Sequence, residues 1–129
     1  MSMDLASPEA TIGRFSDLLS RGDLPAMLAM YEPEAVFVPE PGRTVCGREE
    51  IGRALGAFLA LRPAMTGRPV KTVTAGDTSI VHYRWELRGL TPAGEPVELA
   101  GTSTDVLRRR DDGTWGILVD DPWGSAVPS

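Results

Sequence analysis

The chain has 129 residues, which predicts one domain over residues 1–129 with its core between about residues 8 and 122. Hydrophobic residues make up 42% and charged residues 24%, a balance typical of a globular protein rather than of a disordered one. The formal net charge of −5 argues against a nucleic-acid partner, because phosphate recognition requires a basic surface.

Particular residue counts exclude further classes. One cysteine and one histidine cannot supply a disulfide or the usual zinc or iron ligands, and no glycine-rich phosphate loop occurs, so neither a metal nor another cofactor is expected. No apolar run approaches the ~18 residues that span a bilayer. The N-terminal segment MSMDLASPEA lacks the basic residues of a signal peptide. We therefore expect no membrane partner and a cytoplasmic location.

Helical periodicity dominates the first half of the chain. Residues 7–9 (Ser-Pro-Glu) offer an N-cap and a proline at the first helical position, and Gly22 ends the predicted helix. A second, shorter helix is predicted from Asp23 to Glu32-Pro33, because the residue before a proline disfavours the helical region. A third helix is predicted over residues 48–62.

The strands are predicted from period-two patterns and turn residues. A short strand over residues 35–38 precedes a loop at 39–42, and four strands follow the third helix, at residues 70–75, 79–88, 97–110 and 114–120. Helices first and antiparallel strands afterwards predict an α+β fold, with the helices on one face of a curved sheet. The concave side of such a sheet is a typical place for a small ligand.

Strand alternation selects the first candidate site residues. In the strand 79–88, Tyr83 and Trp85 share an apolar face, where each can serve either as a pocket wall or as ordinary core, whereas His82 lies on the opposite face. Asp105 shares its parity with Leu99 and Leu107, so its carboxyl is predicted to lie on an apolar face.

Two interpretations of Asp105 are open. Desolvation can raise its pKa and keep it protonated, able to donate to a ligand oxygen, or the group is a structural acid held by hydroxyls or by a neighbouring arginine. Asp120 and Asp121 point to opposite faces, so only one of them can face a pocket. A strand-end cap is the expected role for Asp120.

Other chemically notable residues are expected to be structural. Cys46 lacks neighbours that would lower the pKa of its thiol. The run Arg108–Arg110 cannot share one strand face, and Asp111 and Asp112 are expected to neutralise it. Trp123 is expected to anchor the tail, with a position over the mouth of a pocket as the alternative.

Several short strings keep a recognisable order between about residues 8 and 122, among them Arg21-Gly22-Asp23-Leu24, Tyr31-Glu32-Pro33-Glu34-Ala35, Gly47-Arg48-Glu49-Glu50 and Gly101-Thr102-Ser103-Thr104-Asp105. In this order they resemble the SnoaL-like and ketosteroid isomerase-like branch of the nuclear transport factor 2-like superfamily. The resemblance implies a cone-shaped α+β sandwich, with N-terminal helices on a strongly curved, mixed, mainly antiparallel sheet that encloses a lumen. It also implies a homodimer through the convex face, and there His82 would be an interface residue. The implied lumen walls are Phe15, Phe37, Phe58, Tyr83, Trp85 and Leu107.

The steroid isomerases of this group use a tyrosine, a carboxylate base and a protonated aspartate. By resemblance their places fall on Phe15, Pro39 and Asp105. Phenylalanine cannot donate a hydrogen bond and proline cannot take a proton, so the usual steroid mechanism is not expected here. Glu40, next to Pro39, is expected to face solvent.

Two functional hypotheses follow. In the first, the protein is a cofactor-independent enzyme of the isomerase, dehydratase or cyclase type that acts on a small apolar or weakly polar organic ligand. Asp105 would then donate the proton and Asp120, inward by the resemblance, would act as its relay. In the second, the protein is a non-catalytic ligand-binding or dimeric assembly module.

Overall fold

A computed structural model of the protein describes residues 7–126, in which three helices pack on a curved six-stranded sheet of strand order β2-β1-β6-β5-β4-β3. Strands β1 and β6 are parallel and all other neighbours are antiparallel. The predicted α+β class is confirmed. The elements are α1 (Pro8–Arg21), α2 (Leu24–Ala29), β1 (Tyr31–Glu40), β2 (Arg43–Cys46), α3 (Gly47–Leu59), β3 (Ala64–Ala75), β4 (Thr78–Leu90), β5 (Pro96–Arg109) and β6 (Trp115–Asp121).

The bounds of α1 agree with the local signals in the sequence. The Ser7 side chain accepts a hydrogen bond from the backbone N–H of Ala10, at 3.1 Å. At the other end, Gly22 has a φ of 70°, a left-handed conformation that glycine adopts without strain. Both caps satisfy helix-end groups that would otherwise lack partners.

The second helix is shorter than predicted, because α2 ends at Ala29 and Tyr31 already begins β1. The reason is long-range pairing: Tyr31 lies in register with Ile117 of β6. Pro33 falls where the register of β1 against β6 shifts, so its missing N–H removes no regular ladder bond. The predicted stop at Glu32-Pro33 is therefore wrong.

Strand β3 begins at Ala64, six residues earlier than the predicted start at residue 70. It is an edge strand whose residues are nearly all exposed, so no alternation of apolar and polar residues marks it in the sequence. Gly67 permits close packing at its start, since a Cβ there would lie 2.3 Å from Cε2 of Tyr83. Helix α1 packs against β3, and α3 packs against β1.

A β-bulge in β6 determines which acidic residue points inward. Val106 pairs with Val119 and Leu107 pairs with Ile117, which leaves Leu118 as an extra residue without a partner. The bulge reverses the alternation, so Ile117 and Asp120 are both buried although they differ in parity. Asp120 consequently lies beside Asp105 on the concave face.

A partly buried ion cluster links the start of β1 to the end of β5. Glu32 accepts from Arg110 Nε at 2.9 Å and from Arg108 Nη2 at 3.1 Å, and Arg108 also binds Glu34 at 3.0 Å. Arg110 Nη2 further donates to the carbonyl oxygen of Ala29, at 3.1 Å, at the end of α2. For Arg108 and Arg110, the expectation that Asp111 and Asp112 neutralise them is therefore wrong. Their carboxylate partners, Glu32 and Glu34, come from β1.

We expect Gly116→Ala to lower the free energy of unfolding, by an amount on the order of 1–3 kcal/mol. A Cβ at Gly116 would lie 2.3 Å from Glu32 Oε2 and 2.6 Å from Arg110 Nε, so the methyl group must displace this ion pair. Urea unfolding measures the change.

The matched control is Gly13→Ala, in the interior of α1, where a Cβ would meet nothing within 4 Å. Alanine has the higher helix propensity, so this variant should be more stable than wild type by about 1 kcal/mol. If Gly116→Ala were as stable as wild type, the ion cluster would not contribute to stability as proposed.

Candidate functional site

A cavity of ≈70 Å³ lies between the inner helix faces and the concave side of the sheet. Its lining is mostly apolar, and the five aromatic walls predicted from sequence all contribute: Phe15, Phe37, Phe58, Tyr83 and Trp85. Its polar lining residues are Ser16, Ser103, Asp105 and Asp120. The described lining contains no lysine, arginine or histidine, so no basic side chain faces the two carboxyls there.

The prediction for Leu107 is wrong. Leu107 is fully buried but does not line the cavity, because it lies one inward position beyond Asp105 along β5, opposite Ser79. The cavity ends at the level where Asp105 pairs with Val81, and Leu107 belongs to the core beneath it.

Asp105 occupies the inward position that strand alternation predicts and is 2% exposed. Its Oδ2 accepts a hydrogen bond from Ser103 Oγ at 2.6 Å, whereas its Oδ1 accepts none. Burial raises the pKa of Asp105 well above its usual range, the charge of Asp120 raises it further, and the Ser103 bond opposes both. The protonated form of Asp105 is therefore favoured.

Asp120 pairs in register with Asp105, and its Oδ2 accepts from the Tyr31 hydroxyl at 2.5 Å. Burial raises the pKa of Asp120, but the hydrogen bonds from Tyr31 and from protonated Asp105 lower it. Two adjacent buried carboxyls share one proton more easily than they carry two charges. The proton thus belongs mainly to Asp105, and Asp120 is the carboxylate. This replaces the expected strand-end cap.

Tyr31 is the site residue that the sequence does not reveal. It is fully buried, and its ring packs edge-on against Phe15 with the ring centres 5.5 Å apart. Burial and the Asp120 charge raise the pKa of Tyr31 well above its ordinary value, so the phenol remains a donor. Only the register of two strands distant in sequence brings it to Asp120.

Trp123 lines the cavity rather than only anchoring the tail. Its ring packs edge-on against Trp85 with centres 5.4 Å apart, and Trp85 Nε1 donates to the carbonyl oxygen of Pro122 at 2.7 Å. The Trp123 Nε1 atom is buried without a hydrogen-bond partner. The tail turn therefore closes one side of the cavity.

The remaining candidates lie outside the cavity. Glu40 is exposed and pairs with Arg43 at 3.6 Å, as expected for a solvent-facing acid. His82 does not line the cavity, and its Nδ1 lies 3.2 Å from the Ser103 carbonyl oxygen. Cys46 is exposed at the start of α3.

Two general properties of residues 7–126 bear on the class of site. No group of three or more His, Cys, Asp or Glu side chains in this part of the chain is arranged to hold a metal ion. Nor does any helix described there have the length and apolar character needed to cross a membrane.

The chain matches the family model of the SnoaL-like domain over residues 12–115, and it therefore belongs to the SnoaL-like domain family. This agrees with the resemblance drawn from the ordered sequence strings. Among curated proteins, none matches this sequence significantly.

Solved structures share the fold at low sequence identity. A ketosteroid isomerase-like protein from Erwinia carotovora atroseptica is 24% identical, with a TM-score of 0.77 over 93% of this chain and 95% of that one. A Streptomyces avermitilis protein, provisionally named a dehydratase from the NTF2-like family, is 19% identical with a TM-score of 0.76 over 91% and 93%. A Catenulispora acidiphila protein in complex with S-DNPA is 20% identical with a TM-score of 0.67 over 85% and 84%.

The raised pKa of Asp105 makes stability depend on pH in a definite direction. The unfolded chain releases this proton near the ordinary aspartate value, whereas the folded chain retains it to a higher pH, so the contribution of Asp105 to stability falls as pH rises through that interval. Asparagine does not ionise. We therefore expect the free energy of unfolding of Asp105→Asn, relative to wild type, to increase as pH rises above the ordinary aspartate value of about 4.

Urea unfolding across this pH series measures the difference, and Asp112→Asn is the control of opposite sign. Hydrogen bonds from Thr114 lower the pKa of exposed Asp112. The free energy of unfolding of wild type should therefore increase relative to that of this variant as the pH rises from acidic values. Parallel curves for wild type and Asp105→Asn would refute the neutral-acid assignment.

Proposed function

We propose that the protein binds a small, neutral or weakly polar organic molecule in the cavity and acts on it without a cofactor, as an isomerase, dehydratase or cyclase. The observation that carries this proposal is the buried pair of Asp105 and Asp120 in an otherwise apolar cavity. A structural acid is expected to have a basic partner, whereas no lysine, arginine or histidine is among the residues that line the cavity.

The pair provides an acid and a base in one cavity. When a ligand binds, protonated Asp105 exchanges its hydrogen bond to Asp120 for one to a ligand oxygen, while the Asp120 carboxylate, still held by Tyr31, accepts a proton from the ligand. Isomerisation and dehydration both require a proton to leave one atom and another to reach a second atom. The negative charge of Asp120 also disfavours complete ionisation of Asp105, which suits a donor that stabilises a developing oxyanion.

The usual steroid mechanism is not part of this proposal. By the family resemblance, Phe15 and Pro39 take the places of the phenol and the carboxylate base of that mechanism, and Glu40 is exposed. Tyr31 does supply a phenol, but it donates to Asp120. The proposed chemistry therefore relies on the two sheet carboxylates.

The size of the cavity limits how a ligand enters. At ≈70 Å³ it is about half the volume of an engineered cavity that admits benzene, so a larger ligand must displace side chains. Phe58 lines both this cavity and an open groove of ≈510 Å³ beside Pro39 and Arg43. Rotation of Phe58 would join the two spaces, which makes this ring the proposed point of access.

The test of catalysis begins with native mass spectrometry of the purified protein, to find a bound molecule or its product. With that molecule as substrate, we expect Asp105→Asn to lower kcat by about 10²- to 10⁴-fold while Kd changes by less than about tenfold, because the variant keeps its shape but loses the acidic proton.

Asp112→Asn is the matched control, since Asp112 lies in the exposed turn after β5 and should leave kcat unchanged. Full turnover by Asp105→Asn would refute the catalytic assignment and favour the non-catalytic binding module.

We further propose that the protein forms a homodimer through the convex face of the sheet. The alternative function, a non-catalytic assembly module, would use the same dimer. Five β-branched residues lie in one row across five strands, each in register with the next: Val36, Val119, Val106, Ile80 and Val73. Val73 is 51% exposed and Ile80 is 39% exposed. A second copy of the same row is a chemically matched partner for this apolar strip.

Sedimentation velocity at micromolar concentration should show a dimer that Ile80→Glu converts to a monomer, because the new charge would be buried in the interface. Ala57→Glu adds the same charge on α3, away from the row, and should remain dimeric. A monomeric wild type would rule out this interface.

A further inference from the structure

Two buried polar atoms have no hydrogen-bond partner among the described residues, and both belong to residues that line the cavity: Asp105 Oδ1 and Trp123 Nε1. Such atoms are rare in native proteins, because burial removes the water that would otherwise satisfy them. The carboxyl of Asp105 can share its proton with Asp120. The indole N–H of Trp123 is a donor only, and it has no acceptor of this kind.

The position of the Trp123 ring is fixed by contacts that leave this N–H unused. Its backbone N–H donates to Asp121 Oδ1 at 3.2 Å, and its carbonyl oxygen accepts from Ala126 N at 3.0 Å. Gly124 packs so closely on β5 that a Cβ there would lie 2.3 Å from the Thr102 carbonyl oxygen. The turn therefore holds the ring in place against Trp85.

The neighbouring acceptor is already engaged. The carbonyl oxygen of Pro122, the residue before Trp123, accepts from Trp85 Nε1 at 2.7 Å. A water molecule does not reach this N–H either, because its nitrogen is fully buried. A ligand that displaces wall side chains as it enters can bring an oxygen to the N–H, while its apolar part fills the remaining, mostly apolar space.

We propose that Trp123 is a specificity-determining residue whose Nε1 donates a hydrogen bond to an acceptor oxygen of a neutral ligand, such as a carbonyl or ether oxygen. This inference rests on the proposed function, since it assumes that the cavity is the ligand site. The donor selects against hydrocarbons, which would leave it unpaired, and against ammonium groups, which cannot accept. An anionic ligand is disfavoured by the buried Asp120 carboxylate.

The test uses cyclopentanone and methylenecyclopentane, which have nearly the same shape and differ in C=O against C=CH₂. We expect Trp123→Phe to weaken cyclopentanone binding by about 3- to 10-fold and to change methylenecyclopentane binding by less than about twofold, because only the ketone accepts the indole proton. For each probe, the Kd of the variant is divided by the Kd of wild type. This ratio cancels the difference in hydration between the two probes.

A second measurement follows ligand binding in the wild-type protein, and the variant serves only to assign one signal. The chain contains three tryptophans, so a ¹⁵N-labelled wild-type sample gives few indole N–H signals, and Trp123→Phe identifies one of them by its loss. Cyclopentanone should move the Trp123 signal downfield, while methylenecyclopentane should not. The Trp85 signal is the internal control, because its N–H already binds Pro122.

The outcomes separate this inference from the proposed function. If both probes bind and Trp123→Phe weakens them equally, with no downfield shift of the indole signal, the cavity is a ligand site but Trp123 is not its donor. If neither probe binds wild type even at millimolar concentration, and the smaller matched pair of acetone and 2-methylpropene does not bind either, the proposed ligand cavity itself fails, and the role of Trp123 fails with it.

Discussion

The pairing of β5 with β6 at Asp105 and Asp120 is the constraint on which the site depends. It places two carboxyls side by side in a region where full ionisation of both is unfavourable. The arrangement is tolerable because one proton is retained and because Ser103 and Tyr31 each donate to one member of the pair. The bulge at Leu118 is what turns Asp120, rather than Asp121, toward the cavity.

The basic residues of the same strand are kept away from this pair. Arg108 is only three residues beyond Asp105, but its parity carries it to the other face, where Glu32 and Glu34 bind it. An arginine beside Asp105 would lower the pKa of that carboxyl and ionise it. Strand parity therefore keeps the charge of Arg108 away from the acid pair.

The sequence predicts well those features that depend on neighbours along the chain. The N-cap at Ser7, the stop at Gly22 and the inward position of Asp105 all follow from local chemistry or strand alternation. It fails where distant segments decide the outcome. Tyr31 belongs to a strand because of β6, β3 has no alternating pattern because both its faces are largely exposed, and Trp123 reaches the cavity only through a turn after the last strand.

Membership of the SnoaL-like family does not determine the chemistry of the cavity, which depends on its individual residues. The α1 side of this cavity offers mainly apolar atoms, and Ser16 is its one polar lining residue among the described residues of that helix. The ionisable groups instead come from the sheet, at Asp105 and Asp120. The two faces of the cavity therefore differ in character, since β5 and β6 contribute its carboxyl groups and α1 contributes mainly apolar surface.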